Sequence, residues 1–311
     1  DYSDTRQEGV RDGLPAFSGS ESFPVRAFPN TDYSLAGAYI QDEIQLGRLS
    51  IIPAVRYDWY DLSPKQDALY TGAVEGQSED HISPKLGLLW QADDHFGLFA
   101  NYASGFKAPS PMQVNNFFAN ALANYTSIPN PNLKPETSDS FEAGMRFRNI
   151  AAFGGALSLS ATAFQAQFDN FIDQVQVSGN FSPTNPAVYQ YVNLADVKIR
   201  GIEGRGAIRW DNGISIDASA AFADGEQTTN GVKGQLASID PIKLVGGLNY
   251  ADPAGRFGGS AIVTWSDAKD PANYVGNVSC GTGCYLGDAF TLLDLTAYWN
   301  VTDTVTVRAG A

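Results

Sequence analysis

Few residues of this chain could carry out covalent or metal chemistry: it has two histidines, His81 and His95, and two cysteines, Cys280 and Cys284. The cysteines enclose Gly281-Thr282-Gly283. That spacing is too short for a zinc framework and suits a small loop disulfide in an oxidising compartment, with two free thiols as the alternative. No Ser/His/Asp grouping, paired-carboxylate motif, phosphate-binding glycine loop or clustered set of metal ligands occurs. Nothing therefore points to catalysis, to a metal site or to a permanently bound cofactor. What the chain has in quantity is aromatic surface, at 12% Phe, Trp and Tyr, which is the chemistry of binding.

Composition narrows the class of protein that could present those rings. Twenty Lys and Arg stand against 34 Asp and Glu in 311 residues, a formal net charge of −14, which disfavours a nucleic-acid partner. Only 17% of residues are charged, against roughly a quarter in an ordinary soluble domain. No stretch approaches the roughly 20 consecutive apolar residues of a spanning helix, so an α-helical membrane protein is excluded and a membrane β-barrel is not. The opening Asp1-Tyr2-Ser3-Asp4 carries neither a basic nor an apolar leader region; the expectation is a removed leader or a piece of a longer chain.

The elements that must position the rings read as strands. Ile214, Ile216, Ala218, Ala220 and Phe222 alternate with polar or small residues, and so do Phe141, Ala143, Met145 and Phe147, the period-two pattern of a sheet with one apolar face. About twelve such segments follow from the rule, near 31–47, 49–63, 80–93, 96–109, 133–149, 156–176, 188–210, 214–225, 241–252, 256–268, 289–301 and 304–311. Their connections alternate. Gly47-Arg48, Asp93 to His95, Ile150 to Gly155, Asp211 to Gly213, Asp252 to Gly255 and Thr302-Asp303 are short and suited to hairpin turns. Those at 64–79, 110–132, 177–187, 226–240 and 269–288 are long. Short turns at one end and long loops at the other are the layout of an outer-membrane barrel. Tyr57, Trp59, Tyr60, Trp210, Tyr298 and Trp299 lie toward segment ends, where an interfacial girdle needs amphipathic rings. Arg56, Asp58, Glu142, Arg146, Arg205 and Arg209 fall on the other face, that of a wet lumen.

The fourth segment ends in Phe106-Lys107-Ala108-Pro109, and after a long connection the chain reads Asn130-Pro131-Asn132-Leu133 and then Phe141-Glu142-Ala143-Gly144. This resembles the C-terminal barrel half of TonB-dependent outer-membrane receptors, whose FRAP and NPNL motifs flank one extracellular loop. Lys107 replaces the arginine of the first motif, a change that loses a planar fork of donors, while the second is intact. Tyr39 to Glu43, Ser83 to Gly87 and Gly201-Ile202-Glu203 extend the likeness over essentially the whole chain. The resemblance implies an all-β, antiparallel, up-and-down transmembrane barrel, of which residues 1–311 supply about twelve of about 22 strands. It also implies that the plug, the TonB-binding segment and the closing strand are absent. The edges would then be 31–47 and 304–311, exposing backbone groups that lipid cannot satisfy.

Together with Arg11-Asp12-Gly13 and Phe28-Pro29, the two motifs are similar to the haem and haemoglobin receptor branch. Receptors of that branch carry an axial histidine in the loop between the motifs, whereas Ser110 to Pro129 holds none here. Met112 and Tyr125 are chemically able to ligate haem iron, and Phe117 and Phe118 could stack on a porphyrin; for each of the four, packing within the loop is the competing role. His81 falls near the extracellular end of its strand, where it could face the vestibule, and His95 in a periplasmic turn. The implied function is active transport in the bacterial outer membrane. Its cargo is haem or a haemoprotein, its partners are TonB and outer-membrane lipid, and the alternatives are a ferric-siderophore receptor and, further off, a passive porin. Cys280 and Cys284 should resist thiol alkylation in the folded protein until a reductant is added; immediate double alkylation would show two free thiols instead.

Overall fold

A computed structural model describes residues 1–13, 23–229, 232–236, 239–269 and 286–311. Cys280 and Cys284 lie outside the described residues. The first half of the chain forms β1 (Tyr2–Gln7), β2 (Asn30–Gln41), β3 (Ile44–Leu46), β4 (Leu49–Lys65), β5 (Gln77–Gln91), β6 (Phe96–Lys107), the short helix α1 (Pro111–Asn115), β7 (Phe118–Asn120), β8 (Tyr125–Ile128) and β9 (Glu136–Ala152). The second half forms β10 (Gly155–Ser178), β11 (Ala187–Arg209), β12 (Ile214–Thr229), β13 (Val232–Gln235), β14 (Lys243–Ala251), β15 (Phe257–Ser266), β16 (Phe290–Thr302) and β17 (Val305–Gly310).

Each long strand pairs antiparallel with the next in sequence, from β1 on β2 and β2 on β4 through β6 on β9 to β16 on β17. The result is an up-and-down meander, the all-β antiparallel fold that period two implied, with the sheet unclosed. Every segment expected from the sequence is a strand, with β2 and β3 together making the first. Two expectations are corrected. The sheet starts one strand earlier, because Tyr2–Gln7 pairs with Thr31–Ala36, so the segment 31–47 is covered on both sides over 31–36 and remains an edge only beyond them. The connection at 150–155 is also tighter than it looks in sequence. β9 runs to Ala152, and only Phe153 and Gly154 turn, at φ of 51° and 74°, the two left-handed residues of a type I′ hairpin.

Pairing in register joins the alternations into two continuous faces. Ile202, Gly204, Gly206 and Ile208 of β11 stand opposite Phe222, Ala220, Ala218 and Ile216 of β12. Ala218 and Ile216 in turn meet Gly246 and Leu248 of β14. Exposed Ile202, Leu248 and Leu293 leave this apolar face uncovered, as a surface turned to lipid would be. Ile214 to Phe222 spans nine residues, the length a tilted strand needs to cross a bilayer core, about 9–11 residues. Aromatic residues bound the apolar face. Trp90, Phe96 and Phe147 pack together near the tight turns, with centroids 6.5 and 4.7 Å apart, and Tyr102 packs on Phe141 at 4.9 Å toward the long loops.

Tyr57, Trp59, Trp210 and Trp299 belong to the apolar face by register, but Tyr60 and Tyr298 do not, a correction to the expected girdle. Tyr60 is fully buried on the polar face with Tyr33, Leu62, Val114, Leu133 and Ile172, and Tyr298 lies on that face over Gly258. One residue of register decides the face, and proximity to a strand end does not reveal it. Arg56, Asp58, Glu142, Arg146, Arg205 and Arg209 all share the polar face. At the tight-turn end Asp93 Oδ1 accepts from the backbone N–H groups of His95 and Phe96 at 2.7 and 2.8 Å. Those two bonds hold its carboxyl below the usual carboxylate range.

Placing a charge on the two faces should have unequal effects. Leu248→Arg on the apolar face is expected to cost about 2–4 kcal/mol of stability in a bilayer, and Ser260→Arg on the polar face much less. Reversible unfolding of the protein in lipid vesicles by denaturant reads both, and equal costs would overturn the assignment of faces.

Candidate functional site

The described connections at 64–79, 110–132 and 177–187 meet at one end of the sheet, where their backbone groups need partners that strands no longer supply. α1 follows Pro109 and begins at Pro111, both buried. Its cap is reciprocal: Gln113 N–H donates to Ser110 Oγ at 3.3 Å, and Ser110 N–H donates to Gln113 Oε1 at 2.9 Å. Buried Asn115 then clasps the connection between β4 and β5, accepting from Glu75 N–H at 2.8 Å and donating to Glu75 O at 2.9 Å. Tyr70 from that connection donates to Asn115 O at 2.7 Å. Burial, helped by the nearby Glu75 charge, pushes the Tyr70 phenol up to about 12. The connection between β1 and β2 joins the same assembly, with Arg26 Nε on Asp67 Oδ2 at 2.7 Å and Phe117 N–H donating to Ala27 O at 2.7 Å.

The two motif stretches come together here, and their residues hold the loop in place. Lys107 pairs with Glu136 at 3.0 Å. The same Glu136 oxygen accepts the Ile172 N–H at 3.0 Å, so one buried carboxylate ties β6, β9 and β10. Phe106 and Ala108 pack against the Tyr60 cluster, to which buried Leu133 belongs. Asn130 Nδ2 donates to Tyr191 O at 2.8 Å and Asn130 Oδ1 accepts from Asn132 N–H at 3.1 Å. Gln77 Nε2 reaches Pro131 O at 3.3 Å. Asn193 supplies a further clasp, exchanging two hydrogen bonds of 2.8 Å with the Lys134 backbone. Sequence reasoning missed Asn115, Asn193 and Glu136 as organisers, since one amide or carboxylate in a polar loop carries no local signal.

The candidate ligand residues divide. Phe118 and Tyr125 come together across the β7–β8 hairpin, ring centroids 5.4 Å apart. β8 adds in parallel to the start of β11, which sets Tyr125 edge-on to Tyr189 at 6.1 Å, and Phe181 lies 6.3 Å beyond. The Arg11 guanidinium sits over the Phe118 ring at 4.3 Å. The arrangement is a strip of four rings with a cation at one end, all within the separations that favour ring contacts. Phe117 turns the other way and packs edge-on against Tyr70 at 6.3 Å, as a loop-packing residue does. Met112 stands exposed on α1. His81 lies on the polar face opposite Asp58, stacked on Phe106 at 5.1 Å, and its Nε2 has no hydrogen-bond partner. His95 is a turn residue, its Nδ1 on Arg148 O at 2.8 Å. Phe181 lies in the connection between β10 and β11 and Tyr189 near the start of β11, and the pairing of β8 with β11 brings them to Tyr125.

Across its full length, residues 1–311, the chain matches the family model described as TonB dependent receptor-like, beta-barrel. The chain belongs to the TonB-dependent receptor β-barrel family. Among curated relatives of this receptor barrel is the hemoglobin-haptoglobin utilization protein B of Neisseria meningitidis serogroup C, 26% identical over 310 residues, covering 88% of this chain and 37% of that protein. The hemin receptor of Yersinia enterocolitica is 31% identical over 283 residues, covering 83% and 39%. The receptor barrel therefore spans a little over a third of the length of these relatives. In fold it is similar to the hemophore receptor HasR of Serratia marcescens, solved with its hemophore HasA and heme, at a TM-score of 0.72 and 16% identity over 91% of this chain and 48% of that one. Its place is the bacterial outer membrane.

Removing the Glu136 carboxylate and removing its cation should differ in effect. Glu136→Ala strands the buried Ile172 N–H and is expected to cost about 1–3 kcal/mol. Lys107→Ala leaves the carboxylate in place to accept the Ile172 N–H and should cost less. Protease cleavage within 108–135 of the membrane-inserted receptor reads the difference, and equal susceptibility would overturn it.

Proposed function

We propose that this receptor barrel is the wall of an active transporter that captures haem or a haem-bearing protein at its long loops and passes it through the lumen, with TonB as the energy-coupling partner. The observation that carries the reading is the ring strip Phe118, Tyr125, Tyr189 and Phe181 beside Arg11. Flat apolar faces suit a porphyrin, a guanidinium suits its carboxylates, and the Tyr125 and Tyr189 phenols are groups able to ligate ferric iron. The hemoglobin-haptoglobin utilization protein and the hemin receptor among its relatives support the same choice. Exposed Met112 is a further ligand candidate, and polar-face His81 a weaker one, since its unpartnered Nε2 is buried. A ferric siderophore is the second reading, favoured by the absence of histidine from Ser110 to Pro129. Barrel lipid and the TonB complex complete the partners, and haem is cargo with no resident cofactor.

Titration of the full-length receptor with haemin should shift the Soret band. Tyr125→Phe should alter the bound spectrum, and Phe118→Ala should weaken Kd by about 3–10-fold, as the loss of one aromatic contact would. No Soret change, with tight uptake of a ferric siderophore, would assign the second reading.

A further inference from the structure

In a chain of net charge −14, four of the twenty cationic side chains gather at one place on the polar face, far from the ring strip. Arg146 of β9 and Arg205 of β11 both stand opposite Ser160 of β10. One pleat nearer the tight turns, the β9–β10 register shifts between Leu157 and Leu159, which sets Arg148 beside Ser158; Arg209 lies opposite Ala156. The four arginines and the two serines line a hollow of about 250 Å³. Among the described residues none of the four makes an ion pair. Arg146 leans over the Phe99 ring at 4.7 Å. Two acids share that face nearby: Glu203, two residues from Arg205 and opposite Thr162, and Asp217 opposite Ala207, which is engaged by Asn249 Nδ2 at 2.7 Å. Arg148 and Arg209 border the turns at 153–154 and 210–213, so the hollow lies at the tight-turn end, opposite to the ligand-binding loops.

Four like charges held together with no ion pair among the described residues repel one another, and the packing of the sheet itself does not require them. Guanidinium forks only donate, and the serine hydroxyls can donate too, although Ser158 Oγ also accepts from Asn149 N–H at 3.2 Å. Arranged around a hollow, they match an oxyanion that takes paired N–H bonds. We infer that the Ser158–Ser160 hollow is a carboxylate-binding station on the lumen wall, which receives the carboxylates of the cargo after it leaves the loops and before it exits. The station rests on the proposed transport of haem, which carries two such groups. Its field also lowers the barrier for an anion passing along this wall.

The test uses the full-length receptor in cells, with Gln at Arg146, Arg148, Arg205 and Arg209, and with Lys at the same four positions. Surface binding of haemin should stay within about twofold of wild type, since the hollow is remote from the loops, while haemin uptake falls about tenfold. The Lys variant should recover part of the loss. Uptake of haem dimethyl ester, which lacks the charges, should be the same in wild type and the Gln variant. Equal haemin uptake in all three proteins, or an equal loss for haemin and its ester, would overturn the station. Should the fourfold Gln variant fail to reach the membrane, Arg205→Gln with Arg209→Gln takes its place. Failure of wild-type cells to bind haemin would sink the haem reading alone. Calorimetric binding of citrate to purified receptor, present in wild type and lost in the Gln variant, then decides the station, and no citrate binding by wild type overturns it.

Discussion

The constraint on which this structure depends is that a backbone facing lipid must find every hydrogen-bond partner within the protein. Strands satisfy it only in a sheet, and a sheet of neighbours in sequence is the simplest way to align them. Once the ladders form, the pleat sends alternate side chains to opposite faces. One face becomes the row of Ile202, Leu248 and Leu293, and the other the charged wall of Arg56, Glu142 and Arg205. The apolar face, its aromatic borders and the placement of charge all follow from that pairing. At β1 and β17 the ladder stops on one side.

Beyond the membrane-spanning lengths the same need is met differently. Where the strands end, the backbone of the long connections is satisfied by a few side chains: Asn115 for the Glu75 backbone, Asn193 for Lys134 and Glu136 for Ile172. Around them Tyr60, Leu62, Val114 and Leu133 form a small core. A loop held by its own core can present rings in a fixed arrangement, which lowers the ordering cost of binding a flat ligand. The family-motif residues serve this platform. Phe106, Lys107, Asn130 and Leu133 face the scaffold, and the ring strip is built on the hairpin that the scaffold carries.

The ends of the polar face thus differ in chemistry. Rings and phenols gather at the loop end, while guanidiniums with no ion pair among the described residues gather at the turn end. A cargo with a flat apolar body and anionic edges would meet first the groups that suit its body and then the groups that suit its edges. For the proposed transport of haem, that division along one wall supplies a direction in chemical terms, independent of how the energy is supplied.

The strand spans, the two faces and the end to which each connection belongs were legible in the amino-acid sequence, because period two and turn composition are local properties of a chain. So were Phe118 and Tyr125 as ring-bearing residues of the long loop, and His95 as a turn residue. Tyr2–Gln7 was not legible as a strand, having no apolar alternation and existing only through its pairing with β2. Tyr60 looked like a girdle residue until its register turned it inward. Tyr189 and Phe181 joined Tyr125 only through a parallel pairing across some sixty residues of chain, and the arginine hollow needed three strands in register with a bulge. Each of these depends on which residue stands opposite which, and in a sheet that choice is made between strands and is written in no single segment.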